Sequence, residues 1–250
     1  MPNESLIYIG IDDTDNLTSR GTGSRARELI ELLEKNKLAK AMAVTRHQLL
    51  VDDRVPYTSH NSSACMVIQA DNHTGHDQLM DFCRTYLLDI AAEGSDVGLC
   101  LATEAQAEAV IEFGEKAKVE LVMQYEAREI AQQNKIRLEG LTGDHQGIIG
   151  AISAVGLHMH GNDGRYLWPR DIREFYDKKL SINVVKNHRG IDKIALIDGE
   201  EINNDKAEIY LGGWPRTVRI DHQAVLLVEL LDEQHQYKVL EKNKIKSIRP

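Results

Sequence analysis

Three carboxylates fall within four positions, at Asp12, Asp13 and Asp15, directly after the apolar run Leu6-Ile7-Tyr8-Ile9-Gly10-Ile11. Gathered at one point they repel one another, so a fold that keeps them together compensates with a cation or with helix N-termini. Hard oxygen ligands suit Mg²⁺, which takes one or two protein carboxylates and completes its shell with water and substrate phosphate. Asp-Asp-Thr-Asp-Asn is also ordinary turn composition. Its place between a buried strand and a glycine loop favours a metal site formed by Asp12, Asp13 and Asp15.

That loop is Arg20-Gly21-Thr22-Gly23-Ser24, and it leads into an amphipathic stretch. Its two glycines let backbone amides approach an anion, and the helix N-terminus beyond them faces the same way. Gly21, Thr22 and Gly23 are therefore expected to hold nucleotide phosphate, with Ser24 as the helix cap or a phosphate ligand. A lone glycine-x-glycine also fits a plain capped loop; the neighbouring aspartates tip the balance. A second glycine loop, Thr142-Gly143-Asp144-His145-Gln146-Gly147, enters an apolar helix, so Gly143 and Gly147 are candidates for another part of the nucleotide. The competing explanation is that Gly147 and Gly150 only permit close packing. His158 and His160, two apart, would share a face of a strand, yet no third metal ligand accompanies them, and they read as polar loop residues.

The elements that must position these groups follow from periodicity. Leu6 to Ile11 predicts a buried strand, and Arg25 to Lys37, with Leu29, Leu32 and Leu33 at helical spacing, predicts a helix. Strands are expected at Val44 to Val51 and Ala64 to Ala70, separated by a polar, functional loop containing Pro56 and Asn61. Helices follow around Asp77 to Glu93, Ala105 to Ala117 and Tyr125 to Asn134, with a strand at Val97 to Ala102, and Ile148 to Val155 predicts a buried helix. From Leu180 the pattern changes to short strands at Ser181 to Val185, Lys193 to Ile197, Glu208 to Leu211, Thr217 to Ile220, Val225 to Leu231 and Tyr237 to Leu240. The expected fold is α/β or α+β, a mixed sheet with covering helices over 1–175, followed by a small β-rich unit over 176–250.

Composition narrows the partners. The 250 residues carry a formal charge of −9, which argues against a broad basic face for nucleic acid. Cys65, Cys83 and Cys100 form no CxxC pair and suggest a reducing cytoplasm. No basic leader precedes an apolar run, and no run approaches the roughly 20 apolar residues of a membrane span, so neither export nor membrane insertion is expected.

Two families share parts of this pattern. Asp13-Thr14-Asp15 resembles the start of haloacid-dehalogenase-like phosphatases, but the threonine that should follow comes one position late at Thr18 and the later motifs are missing. Ile9-Gly10-Ile11-Asp12-Asp13-Thr14-Asp15 followed by Gly21 instead resembles the N-terminal kinase-like region of the archaeal agmatinylcytidine (agmatidine) synthetases that act on an isoleucine tRNA, which opens IGIDDTDS with a GMCTT loop. Asn61 in Ser59-His60-Asn61-Ser62-Ser63-Ala64, Ser95-Asp96-Val97-Gly98-Leu99, and Gly143 to Ala151 are similar to that family's later segments, so the resemblance covers roughly residues 6 to 170.

The resemblance implies a kinase-like, ferredoxin-like arrangement using ATP and Mg²⁺, with Asp12, Asp13 and Asp15 catalytic and metal-binding, and Asn61, with His60, touching nucleotide or substrate. Ser24 stands for a threonine that is phosphorylated in the family, Gln146 for an arginine, Ser59-His60 for Arg-Gly, and the zinc-ribbon cysteines are absent. The combined expectation is a Mg-ATP-dependent phosphoryl-transfer or substrate-activating enzyme. Its acceptor would be a small molecule or RNA, with tRNA itself not favoured because the chain is acidic. The alternative is a nucleotide- or metabolite-binding module without turnover.

Overall fold

A computed structural model describes residues 6–55, 61–71, 73–213, 215–231, 236–241 and 243–245. The chain divides into two compact units, Met1–His160 and Gly161–Pro250. Residues 161–175, assigned by pattern to the first region, thus lie in the second unit.

In the first unit β1 (Leu6–Asp12) is the central strand of the order β5-β4-β1-β3-β2, formed with β2 (Ala39–Gln48), β3 (Ser62–Ala70), β4 (Gly98–Thr103) and β5 (Arg137–Gly140). Every neighbouring pair is antiparallel. Both faces of β1 are covered, which is why its sequence is nearly continuous in apolar residues. Tyr8 and Gly10 face helix α6 (Gly147–His160), with Cys65, Val67, Cys100 and Ala102 in the same core. The alternation of a strand leaves Ile7, Ile9 and Ile11, all fully buried, for the opposite face, where α1 (Thr22–Lys35) packs over β2 and β3, and α2 (His76–Ile90) over β4. The mixed α/β class expected from sequence is thus the class observed.

The helix expected over 105–117 is two, α3 (Glu104–Glu108) and α4 (Ile111–Val119), and α5 (Gln124–Gln133) follows. His158 and His160 are not loop or strand residues: they end α6, and His158 is buried. Its Nδ1 shares the Thr45 hydroxyl, at 2.8 Å, with His47 Nε2, at 2.7 Å, while His160 Nε2 lies 3.3 Å from Glu115. The apolar run that made α6 recognisable also draws these histidines into the helix.

The second unit is β-rich, with strand order β6-β10-β11-β12-β9-β7 and β8 pairing parallel to β11. These are β6 (Arg165–Trp168), β7 (Lys179–Ser181), β8 (Lys193–Leu196), β9 (Glu208–Tyr210), β10 (Val218–Ile220), β11 (Gln223–Leu230) and β12 (Gln236–Val239). Asp221 and His222, with φ of 48° and 63°, make the tight turn between β10 and β11. The strand expected at 181–185 is instead a short helix, α7 (Ile182–Lys186), because Ile182 and Val185 reach the core together at helical spacing.

Candidate functional site

β1 delivers Asp12 to its C-terminal end, and the chain turns there through Asp13 at φ 51°. Thr14, fully buried, donates its hydroxyl to Thr22 Oγ1 at 3.1 Å, and Thr22 in turn donates its hydroxyl to Asp15 Oδ1 at 2.6 Å. The Thr22 amide donates to the same Asp15 oxygen at 3.0 Å. Asp15 therefore occupies the positive end of α1, where a carboxylate is stabilised by the helix dipole. The glycine loop before α1 holds one of the chain's own carboxylates.

This arrangement changes the role of Ser24. The N-cap of α1 is Gly21, without a side-chain cap, and Ser24 lies inside the first turn with its amide on the Gly21 carbonyl at 2.8 Å. The expected capping role of Ser24 is not present. The helix begins three residues earlier, at Thr22 rather than Arg25, and Asp15 satisfies the Thr22 amide that a cap would otherwise serve.

The second glycine loop is folded around Asp96. Asp96 Oδ1 accepts the Asp144 amide at 2.7 Å, and its carbonyl accepts the Gly147 amide at 2.9 Å. A Cβ at Gly143, where φ is 55°, would stand 1.6 Å from Asp96 Oδ1. That glycine is required by its left-handed backbone and by the carboxylate beneath it. The Asp96 amide donates to Asp13 Oδ2 at 3.2 Å, so Asp96 couples this loop to the aspartate cluster.

Helix α6 closes over the cluster. At Gly150 a Cβ would lie 1.8 Å from Asp12 Oδ2, so only glycine lets the helix sit on that carboxylate. Burial, followed by repulsion from Asp13, pushes the Asp12 carboxyl up to about 8, against the Asp13 amide hydrogen bond; Asp15 adds further repulsion, and the Arg46 charge opposes it. Burial also raises Asp13; its hydrogen bond from the Asp96 amide opposes the shift, while the charges of Asp96 and Asp15 add to it.

A solvent-open cavity lies against these groups. Asp12, Asp13, Asp15, Thr22, Asn61 and Gly147 line it. Gly21, Gly23, Ser24 and Gly143 are not among its described lining residues, and His60 lies outside the described residues. Asn61 binds the two strand ends together, its Nδ2 donating to the Leu50 carbonyl at 2.7 Å and its own carbonyl accepting the Leu49 amide at 2.8 Å. Sequence reasoning missed Gln146 and Gly150 as wall residues, and also Glu120 and the apolar side chains Leu49, Leu50, Val55, Leu121, Val122 and Ile149. The spacing Gly147-x-x-Gly150 was the available signal for the helix face; the others arrive from separate segments through the tertiary fold.

Among the described residues no three His, Cys, Asp or Glu side chains form a ready metal cage. The described wall includes four carboxylates, from Asp12, Asp13, Asp15 and Glu120, and neither Lys nor Arg. Such a donor set suits a hard divalent cation that keeps water and ligand oxygens in its shell. No described helix is long and apolar enough to cross a membrane.

No family model matches the chain. An uncharacterised protein of Methanocaldococcus jannaschii is 28% identical over 159 residues, covering 64% of this chain and 52% of that protein. Among solved structures, the complex of a tRNA agmatidine synthetase with its isoleucine tRNA and ATP gives a TM-score of 0.54 at 23% identity, covering 61% of this chain and 36% of that one. A tRNA fluorescent labelling enzyme gives 0.54 at 24% identity, covering 60% and 36%. The apo agmatidine synthetase gives 0.53 at 23% identity, covering 60% and 35%. The chain therefore spans about half the length of its curated relative and little more than a third of these structures. The expectation that disfavoured tRNA is corrected here: total charge was a poor guide, because structures sharing this fold are complexes with an isoleucine tRNA. The likeness read from the Asp12-Asp13-Thr14-Asp15 string is matched in three dimensions, and about 60% of the chain has the fold of the agmatidine synthetase.

Proposed function

We propose that the protein is an ATP-dependent enzyme that activates an acceptor by transfer of a phosphoryl or nucleotidyl group, with Mg²⁺ held by Asp12, Asp13 and Asp15. The supporting observation is a cavity whose described wall includes three clustered aspartates and neither Lys nor Arg, in a fold shared with an ATP complex. Triphosphate entering such a site needs a divalent cation to offset carboxylate repulsion. Bound Mg-ATP would supply the transferred group and neutralise charge during transfer.

The chain's own residues supply position. Asp15 is fixed by the start of α1, Asp13 by the Asp96 amide, and Asp12 by the face of α6 at Gly150, so the carboxylates are oriented before any ligand arrives. Asn61 ties its part of the wall to Leu50.

RNA, including tRNA, is the acceptor class favoured by the shared fold. The second unit holds 16 of the 30 Lys and Arg but only 15 of the 39 Asp and Glu, so its surface repels a phosphate backbone far less than the first unit does. The test is incubation with ATP, Mg²⁺ and tRNA, followed by analysis for ADP, AMP and pyrophosphate. Nucleotide product that depends on tRNA supports the reading. A second reading, a nucleotide-binding module, is favoured by the position of Ser24 off the described cavity wall; tight binding with no product of any kind would select it.

A further inference from the structure

Outside the cavity, a group of surface side chains is left unused by the nucleotide reading. The chain that lines the cavity at Leu121 and Val122 runs directly on into Met123 and Tyr125, which are 57% and 66% exposed. Another lining segment, at Gln146 and Gly147, is entered through His145, whose ring lies so close over Gly140 that a Cβ there would stand 2.3 Å from it. These two segments are joined at the surface. Gln124 Nε2 donates to the Asp144 carbonyl at 2.7 Å, and Arg128 Nη2 lies 3.4 Å from Gln124 Oε1 and 3.5 Å from His145 Nδ1. Tyr125 and Arg128, three apart on α5, are neighbours on its surface. Met123, Tyr125, Arg128 and His145 therefore form one preformed patch next to cavity-lining residues.

Composition and charge select the partner. A phenol ring, a guanidinium plane and an imidazole are the flat groups on which unstacked bases lie. Arg128 meets no carboxylate within ion-pair distance among the described residues, and Glu126, near it on the same helix, is held by Lys116. The unit around it is acidic, with 24 Asp and Glu against 14 Lys and Arg. A guanidinium left unoffset in such a unit complements a phosphate. We infer that this patch holds an unpaired RNA nucleotide flanking the acceptor nucleotide, its base on Tyr125 and Met123 and a phosphate on Arg128. This rests on the RNA-acceptor reading given above. The stack on Tyr125 reads no sequence, because every base has a flat face, so the patch holds RNA in register while the cavity selects what reacts.

The test is fluorescence anisotropy with a fluorescein-labelled single-stranded RNA of about 12 nucleotides and mixed sequence, titrated with the full chain. Wild type is compared with Tyr125→Ala, Tyr125→Phe and Arg128→Gln, and with Tyr176→Ala, which removes an exposed tyrosine of the second unit. Both patch residues are exposed, so the fold should be kept, and thermal melting verifies it. Tyr125→Ala and Arg128→Gln should each lose about tenfold in RNA affinity, while Tyr125→Phe and Tyr176→Ala stay within about twofold of wild type. Arg128→Gln should also flatten the slope of log affinity against log salt by about 0.7, which a merely structural role would not do. Mg-ATP affinity should be unchanged in every variant. RNA affinity kept by both Tyr125→Ala and Arg128→Gln overturns the assignment, as does an equal loss in Tyr176→Ala. A wild-type dimer that Tyr125→Ala dissolves, seen by light scattering, gives the patch to a second copy and also overturns it. If both patch variants still form tRNA-dependent nucleotide product as wild type does, the patch fails and the RNA acceptor stands; if wild type neither binds RNA nor forms such product, both fail.

Discussion

Replacing Asp12 with asparagine should make the metal-free protein more stable, and the gain should grow with pH. The Asp12 carboxyl stands at about 8 in the folded chain against 3.8 for an ordinary aspartate, chiefly through burial under α6. Between those two values the folded state keeps a proton that the unfolded state has released, so stability falls as pH rises across the window and levels off above about 8. Each pH unit costs about 1.4 kcal/mol, which sets a ceiling of about 4 kcal/mol at pH 7. Cavity water and the Asp13 amide soften the penalty, and about 1–3 kcal/mol is the expected gain, or several degrees in melting temperature. Asparagine keeps the shape and one acceptor oxygen but carries no charge. Thermal melts of both proteins in EDTA from pH 5 to 9 read the effect: the curves should lie close at pH 5 and separate as pH rises. Mg²⁺ should stabilise wild type and leave the variant unmoved. Parallel curves, or a variant less stable than wild type at pH 8, would refute the buried-carboxylate account.

Other positions give independent tests. Gly150→Ala places a methyl 1.8 Å from Asp12 Oδ2, so it should cost about 1–3 kcal/mol and abolish Mg-ATP binding; retention of both properties would show that α6 does not hold the carboxylate. Gly143→Ala should cost a similar amount through its positive φ and the Asp96 carboxylate, yet change Mg-ATP affinity less than about threefold, as measured on the folded fraction. Ser24→Ala should leave chemical-denaturation stability within about 0.5 kcal/mol because no cap is lost, and a loss above about 1 kcal/mol would restore the cap. Thr45→Val removes the hydroxyl shared by buried His47 and His158 and should lower stability by about 1–3 kcal/mol in urea titrations, against no change if the network is incidental.

Much of this was legible in the residues, and the gaps have physical causes. β1 announced itself because a strand buried on both faces must be apolar throughout, and the aspartates at its end lie on the cavity wall as a group. The fold class followed from the same periodicity. The glycine loops were harder to read, since the glycine types were visible but the anion they serve was not. Asp15 and Asp96, two of the chain's own carboxylates, occupy amides that pattern alone would offer to phosphate. Ser24 was misplaced because its helix starts at Thr22, a boundary set by a hydrogen bond from seven residues away. The apolar part of the cavity wall was invisible in sequence, because Leu50, Leu121 and Ile149 meet only when β2, the segment after α4, and α6 are assembled. At Ile182 to Lys186 a β-branched run favoured strand, and burial of Ile182 with Val185 overrode that propensity.

The central claim is that the Asp12, Asp13 and Asp15 cluster on the cavity wall binds nucleotide through Mg²⁺. The most direct measurement is calorimetric titration of ATP into wild type and Asp13→Asn, each with Mg²⁺ and with EDTA. The account predicts binding to wild type only when Mg²⁺ is present, and at least about a tenfold loss of that affinity in Asp13→Asn. Equal affinity with and without Mg²⁺, or an Asp13→Asn variant that binds Mg-ATP as wild type does, would contradict it.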